Sequence, residues 1–442
     1  MIKIKSHLYF IIVIILLGSS LVFASSNNQE TNTERYKGSG DRKQGYDKDS
    51  YVTNSLSLEK RTGKEANLLQ FAQEAPLGLP NLKIPLDNPI DANKINLGRR
   101  LFFDRRLSLN DTFSCAICHV PEQGFTSNEL STAIGVEGRS IKRNSPTMYN
   151  VAYYSVFFHD GRETTLEQQA WSPLLAQNEM ANPSIGYVLK KLKAIKDYEG
   201  LFENAFAGKG PTMETVGMAL ASYQRTLNSG ESKFDQWYFG KKDAALSADE
   251  KAGFELFTGK GSCSSCHIIN DQYALFTDNQ FHNTGHGYAV SMAPKPEKVN
   301  VQLAPGVFVD VDYEIIKSVS QRTKANDVGL YEVTQNPNDR WKFRTASLRN
   351  IELTAPYMHD GAFKSIREVV EFYNHGGVSN ELLSPLIKPL NLTEKEIDNL
   401  VAFLHALTGN NIQTIVADAF SAPIGDLKTE DPNWAHEAEL TN

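Results

Sequence analysis

Cysteine is scarce in this 442-residue chain: there are four, in two close pairs, Cys115 with Cys118 and Cys263 with Cys266. A disulfide framework is therefore excluded as the source of its stability. Long apolar runs are lacking too, apart from Leu8 to Leu17 near the N-terminus, so no other segment is long enough to span a bilayer. Basic residues do not predominate, with 45 Lys and Arg against 52 Asp and Glu. That balance argues against nucleic acid or an anionic membrane as partner and suits a basic protein steered by charge. Period-2 alternation over several strands is missing, which excludes a sandwich or barrel.

What is present begins with the N-terminus. Met1 to Lys5 is basic, Leu8 to Leu17 apolar, and Val22-Phe23-Ala24 ends the segment in a small-residue cleavage pattern. This predicts a secretory signal peptide over residues 1–24, and so the periplasm. The rival, an uncleaved anchor from Leu8 to Ala24, spans 17 residues, at the lower limit for a bilayer, and Gly18-Ser19-Ser20 interrupts it. Cleavage leaves no membrane span and removes Lys3 and Lys5, so the mature chain has 43 basic and 52 acidic residues. Residues 26–50 contain no aliphatic side chain and cannot offset the entropy of ordering. We read residues 25–76 as a flexible hydrophilic tether with one short helix near Ala66 to Gln73.

The four cysteines sit in Cys115-Ala116-Ile117-Cys118-His119 and Cys263-Ser264-Ser265-Cys266-His267. C-x-x-C-H lets two thiols add across the vinyl groups of one haem while the adjoining imidazole reaches the iron. The competing reading is one structural zinc site. The pairs begin 148 residues apart, and a histidine directly follows each second cysteine. Two covalently bound haem c groups are the expectation, and covalent attachment after export agrees with the signal peptide.

Asp91 to Phe103, Thr212 to Leu227, the helix behind the capping box Ser247 to Glu250 and the one behind Thr393 to Glu396 have helical spacing. Lys142, Asn150, His159, Asp160 and Gly161 recur at an offset of 200 as Lys342, Asn350, His359, Asp360 and Gly361. The second half carries an insertion over about Phe276 to Tyr331, rich in Gly, Pro, Asn and Asp. The expected fold is mostly α, with two cytochrome c-like haem domains, residues 77–238 and 239–412, long connecting loops and an acidic tail over 413–442.

From about Leu77 to Gly409 the chain resembles the bacterial di-haem cytochrome c peroxidase family, including its MauG-type branch. The motifs are Leu97-Gly98-Arg99-Arg100-Leu101-Phe102-Phe103-Asp104, Arg143-Asn144-Ser145-Pro146-Thr147, His159-Asp160-Gly161-Arg162, Phe281-His282-Asn283-Thr284-Gly285, and Leu348 to Tyr357. The resemblance implies a peroxidatic first haem on His119 and an electron-transfer second haem on His267. Many members carry a capping loop histidine at the position of Val136, so the first iron is expected to be open. The Leu-x-x-Gln to Glu-Met pattern maps to Gln169 and Glu179, with Glu179 moving the proton that splits peroxide and Gln169 orienting it. The second haem's other ligand, methionine in ordinary members, maps to Tyr373, the mark of the MauG-type branch; Met358, Met292 and His286 remain alternatives. The inter-haem tryptophan maps to His159, leaving Tyr153, Tyr154, Phe157 and Phe158 as aromatic substitutes. One Ca²⁺ between the haems is implied at Asn144, Thr354 and Pro356.

The implied function is reduction of H₂O₂ to water with electrons from a small cytochrome c or a cupredoxin, entering through the C-terminal haem. The alternative is a MauG-type enzyme that uses H₂O₂-derived high-valent haem iron to oxidise or crosslink side chains of a partner protein. A rival of another class is a non-catalytic di-haem electron-transfer cytochrome, which requires both irons six-coordinate. The sequence leaves a homodimer open.

Overall fold

Asp91 opens the first long helix by accepting the N–H groups of Asn93 and Lys94 on its carboxylate. The helix, Ala92–Phe103, buries Ile95, Leu97, Leu101 and Phe102 and packs on Met213–Gln224. Most of that second helix is buried all round, so it is a core helix and not the one-sided stripe its spacing predicts. Gly98 sits at the crossing: a Cβ there would lie 1.9 Å from Ala219 O.

The computed structural model describes residues 63–292, 297–304, 307–320 and 326–423. Its second half repeats the helix pair with Ala248–Thr258 and Glu394–His405. Both begin with the reciprocal capping boxes expected, Ser247 with Glu250 and Thr393 with Glu396. Gly253 is the counterpart of Gly98, with a Cβ position 2.0 Å from Asn399 O. Gly98→Ala and Gly253→Ala are each expected to destabilise the fold by about 1–3 kcal/mol, by forcing two helix backbones apart. Gly186→Ala, in the helix Ile185–Ala194 with its nearest neighbour 3.8 Å away, should be neutral or stabilising. Denaturant titration of the three variants measures the contrast.

The offset-200 repeat has a backbone cause. Asn150 and Asn350 both adopt left-handed conformations, φ 60° and 59°, which asparagine tolerates better than most residues. Asn150 N–H donates to Leu227 O and Asn350 N–H to Leu407 O. Their Oδ1 atoms accept from Ser229 N and Gly409 N. Each asparagine thus ties its loop to the segment following the second helix of a pair.

Two apolar cores result. The first gathers Ile95, Leu101, Phe102, Trp171, Leu220 and Tyr223; the second gathers Phe234, Phe257, Phe276, Leu400, Phe403 and Leu404. Phe234, at the end of our first domain, belongs to the second core, because Lys233–Tyr238 stacks its aromatics on Phe254 and Phe403. The acidic-tail reading of 413–442 is corrected at its start. Ile412–Phe420 is a helix that buries Ile415, Val416 and Ala419 in the first core, and buried Asp418 pairs with Arg99 at 2.7 Å. The short helix expected near Ala66 to Gln73, within the tether, is Leu68–Gln73, and it is anchored by buried Leu68 and Ala72.

From the insertion, Phe281–His282 pairs antiparallel with Phe343–Arg344 beyond it, and Lys298–Ala304 forms a ribbon with Val307–Asp312. Among the described residues no helix is long and apolar enough to cross a membrane. Residues 1–24, read as a signal peptide, lie outside the described residues.

Candidate haem and peroxide site

Cys115–Cys118 is a single helical turn, and His119 N–H closes back on Cys115 O. His119 Nδ1 lies 3.1 Å from Phe125 O; a carbonyl only accepts, so Nδ1 carries the hydrogen and Nε2 is left as the ligand nitrogen. The second motif repeats the device: His267 N–H donates to Cys263 O, and Nδ1 lies 2.8 Å from Phe276 O. Both carbonyls are aimed by left-handed residues, Phe125 at φ 52° and Phe276 at φ 51°. Both are braced by the next hydroxyl, Thr126 to Ser145 O and Thr277 to Thr345 O. The sequence reading missed this support, although Phe-Thr recurs behind each motif.

These surroundings suit haem. All four cysteines are free thiols, and burial pushes Cys115, Cys118 and Cys263 up to about 12 and Cys266 up to about 11, which marks apolar pockets. Desolvation also holds both imidazoles below the usual histidine value, so each stays neutral, as a metal ligand must.

Above the first motif lies Glu179. Its charge acts on the thiols of both Cys115 and Cys118, and desolvation raises its pKa, with Arg162 opposing. Gln169 ends the short helix Leu166–Gln169, and its Oε1 is buried without a hydrogen-bond partner among the described residues. Val136 is fully buried against this acid: its N–H donates to Glu179 O at 2.9 Å. Gly135 permits the approach, since a Cβ there would lie 2.1 Å from Asn178 O. A valine side chain at this position offers iron no donor atom.

The second motif faces Tyr373 on the helix Ile366–Asn374, which Ser365 caps. Burial raises the phenol's pKa strongly, and the charges of Cys266 and Cys263 add to the effect. Of the alternatives, Met292 is 59% exposed, and His286 Nε2 is engaged with Asp360 Oδ1 at 2.8 Å. Met358 adopts φ 72° beside the repeat turn.

Asn144 joins the halves. Its N–H donates to His359 O, its Nδ2 to Ser131 O, and its carbonyl accepts from His159 Nε2. Among the described residues no donor reaches Asn144 Oδ1 or the carbonyls of Thr354 and Pro356, which leaves hard oxygens of the kind Ca²⁺ takes. His159 is pushed down to about 3, first by burial and then by Arg143, His359 and Arg344, so it is a neutral brace for Asn144. Of the aromatics near it, Tyr154 spans the halves: its OH accepts from Ser347 N at 3.1 Å and its ring lies under Arg344 at 3.8 Å. Phe158 is covered by Arg162 at 3.4 Å, and the Tyr153 hydroxyl is buried without a hydrogen-bond partner among the described residues.

Two like halves, each with a C-x-x-C-H turn and a braced imidazole, define a di-haem c-type cytochrome. The chain belongs to the di-haem cytochrome c peroxidase family, whose model matches residues 92–243; it is an oxidoreductase with two haem c groups. It is 39% identical over 349 residues to the cytochrome-c peroxidase IdrP1 of Pseudomonas sp. (strain SCT), covering 75% of this chain and 84% of that one. The methylamine utilization protein MauG of Methylorubrum extorquens is 37% identical, over 73% of this chain and 80% of its own. A solved MauG-like protein associated with microbial copper homeostasis superposes with TM-score 0.65 at 30% identity, covering 79% of this chain and 98% of that one.

Proposed function

We propose that this chain is a periplasmic peroxidase that reduces H₂O₂ to two waters, taking two protons from solvent and two electrons from a small cytochrome c or cupredoxin. The observation that carries the reading is Glu179, a buried carboxyl with a raised pKa in the pocket of Cys115 and Cys118. Bound haem supplies the iron that accepts and delivers those electrons. Glu179 takes a proton from one peroxide oxygen and returns it to the other, which then leaves as water. Gln169 orients the peroxide through its unpartnered Oε1. His119, held by Phe125, would ligate the iron of the first haem, and Val136 would offer that iron no competing imidazole. His267 and Tyr373 would hold the second iron. Asn144, Thr354 and Pro356 hold Ca²⁺ between the halves.

Tyr373 favours a second reading, in which the two oxidising equivalents of peroxide are used on a side chain of a partner protein. A phenolate is a hard donor that stabilises oxidised iron, unlike a thioether. Steady-state assays separate the two. The peroxidase oxidises two molecules of reduced small cytochrome per H₂O₂. Negligible cytochrome turnover, together with a mass change on a co-purified protein, replaces the first reading with the second.

A further inference from the structure

His286 and Asp360 meet at 2.8 Å, Nε2 to Oδ1. A third group adjoins them: a ring nitrogen of His359 lies within 4.8 Å of both ligand atoms, and the two imidazoles are edge to face at 5.4 Å between centroids. His359 is 7% exposed. Its ring stacks on Phe343 at 3.7 Å, yet neither nitrogen has a hydrogen-bond partner among the described residues. A paired histidine and aspartate explains two of the three groups and leaves a third imidazole beside them that has no hydrogen bond from the described residues.

We propose that His286, His359 and Asp360 form a site for a divalent transition metal of the zinc class, separate from the oxygen site at Asn144. Two imidazole nitrogens and one carboxylate match the borderline softness of such ions and disfavour Ca²⁺. A zinc ion with donors at about 2.0–2.1 Å holds them roughly 3.3 Å apart in a tetrahedron. The His286–Asp360 pair therefore opens slightly and His359 closes in, by at most about 1.5 Å. The backbone on either side is fixed. Gly285 has φ 86° and packs its Cα on Val378, and Gly361 has φ 68° and packs on Ser131.

Charge and access also fit. The nearby Arg143, whose charge reaches His359, is offset by its pairing with Asp160 and, bidentately, with Asp327. The His286 and Asp360 side chains retain 10% and 21% exposure, which gives an ion a route in. Three protein donors leave a fourth tetrahedral position for water. His286 begins the helix His286–Met292 at the start of the insertion, while His359 bonds Asn144 in the first half through its carbonyl. The metal would therefore clamp the insertion to the joint between the two halves.

The test is titration of the full di-haem protein with Zn²⁺ after chelator treatment, with excess Ca²⁺ present throughout so that the Asn144 site takes none. Calorimetry gives the affinity, and elemental analysis after gel filtration gives the count. One Zn²⁺ per chain is expected, with binding weakened at least about tenfold in Asp360→Asn and in His286→Ala. His286→Gln, which keeps a donor towards Asp360, serves as a second variant should alanine disturb the fold; unchanged haem absorbance checks that. His375→Ala, which removes an exposed imidazole, should leave binding unchanged. Equal zinc uptake in wild type and both His286 variants, or no uptake in any of them, overturns the site.

Discussion

Glu179→Gln is expected to slow the reaction with H₂O₂ by about 10²- to 10⁴-fold while leaving both haems attached, the range a positioned proton carrier contributes. Glutamine keeps the shape and one hydrogen-bond acceptor but cannot take a proton. The carboxyl is buried and its pKa is raised by desolvation, with only Arg162 pulling it back. A rate that needs the ionised form must climb as pH rises through that raised value, and the glutamine variant should lose this limb of the profile. Stopped-flow mixing with peroxide across pH reads both effects. A variant that reacts at the wild-type rate with the same profile would remove Glu179 from the mechanism.

The same substitution has the opposite effect on stability. Folding raises this carboxyl's pKa above its unfolded value of about 4.3. Its contribution is therefore fully present below that value and is lost as pH rises through the folded pKa. At neutral pH the ionised, buried Glu179 is a liability that the glutamine variant lacks. Activity falls and stability rises together, which a merely structural glutamate would not show.

The chemistry of the two centres was legible because covalent haem attachment demands adjacent residues: Cys115 to His119 and Cys263 to His267 cannot be dispersed. The capping boxes at Ser247 and Thr393 were equally local, and both helices begin there. What the sequence hid depends on backbone conformation or distant packing. The carbonyls of Phe125 and Phe276 orient the imidazoles only because both residues turn left-handed, and no side-chain property announces that. Ile412, Ile415, Val416 and Ala419 have the spacing of a buried face, but the acidic residues beyond them masked it. The ribbon at Lys298–Ala304 carries Val299, Val301 and Leu303 in alternation, too brief a signal against a Gly- and Pro-rich insertion. His286, weighed as a ligand to iron, instead meets Asp360 across 74 residues, a partnership set by the loop after the second repeat.

Tyr373→Met is expected to raise the reduction potential of the second haem by on the order of a few tenths of a volt, since the axial ligand is a principal control on that quantity. The helix itself should survive. Its cap is Ser365, its buried anchors are Ile366 and Val370, and methionine is a good helix former. The functional consequence divides the two readings of this chain. If the second centre only relays electrons from a small donor, a higher potential still permits turnover, and cytochrome oxidation persists. If it stores an oxidising equivalent for use on a protein side chain, a thioether disfavours the oxidised state and that modification should fall to background. Tyr373→Phe is the companion variant, keeping the ring but offering no oxygen. Spectroelectrochemistry on the three proteins decides the ligand: potentials that coincide would mean Tyr373 packs beside Cys263 and Cys266 without reaching iron. The pocket around the phenol is what makes the choice of ligand matter. Burial and the adjacent sulfurs hold its proton on, so only a bound cation makes ionisation favourable, and ligation and deprotonation should appear together as pH is varied.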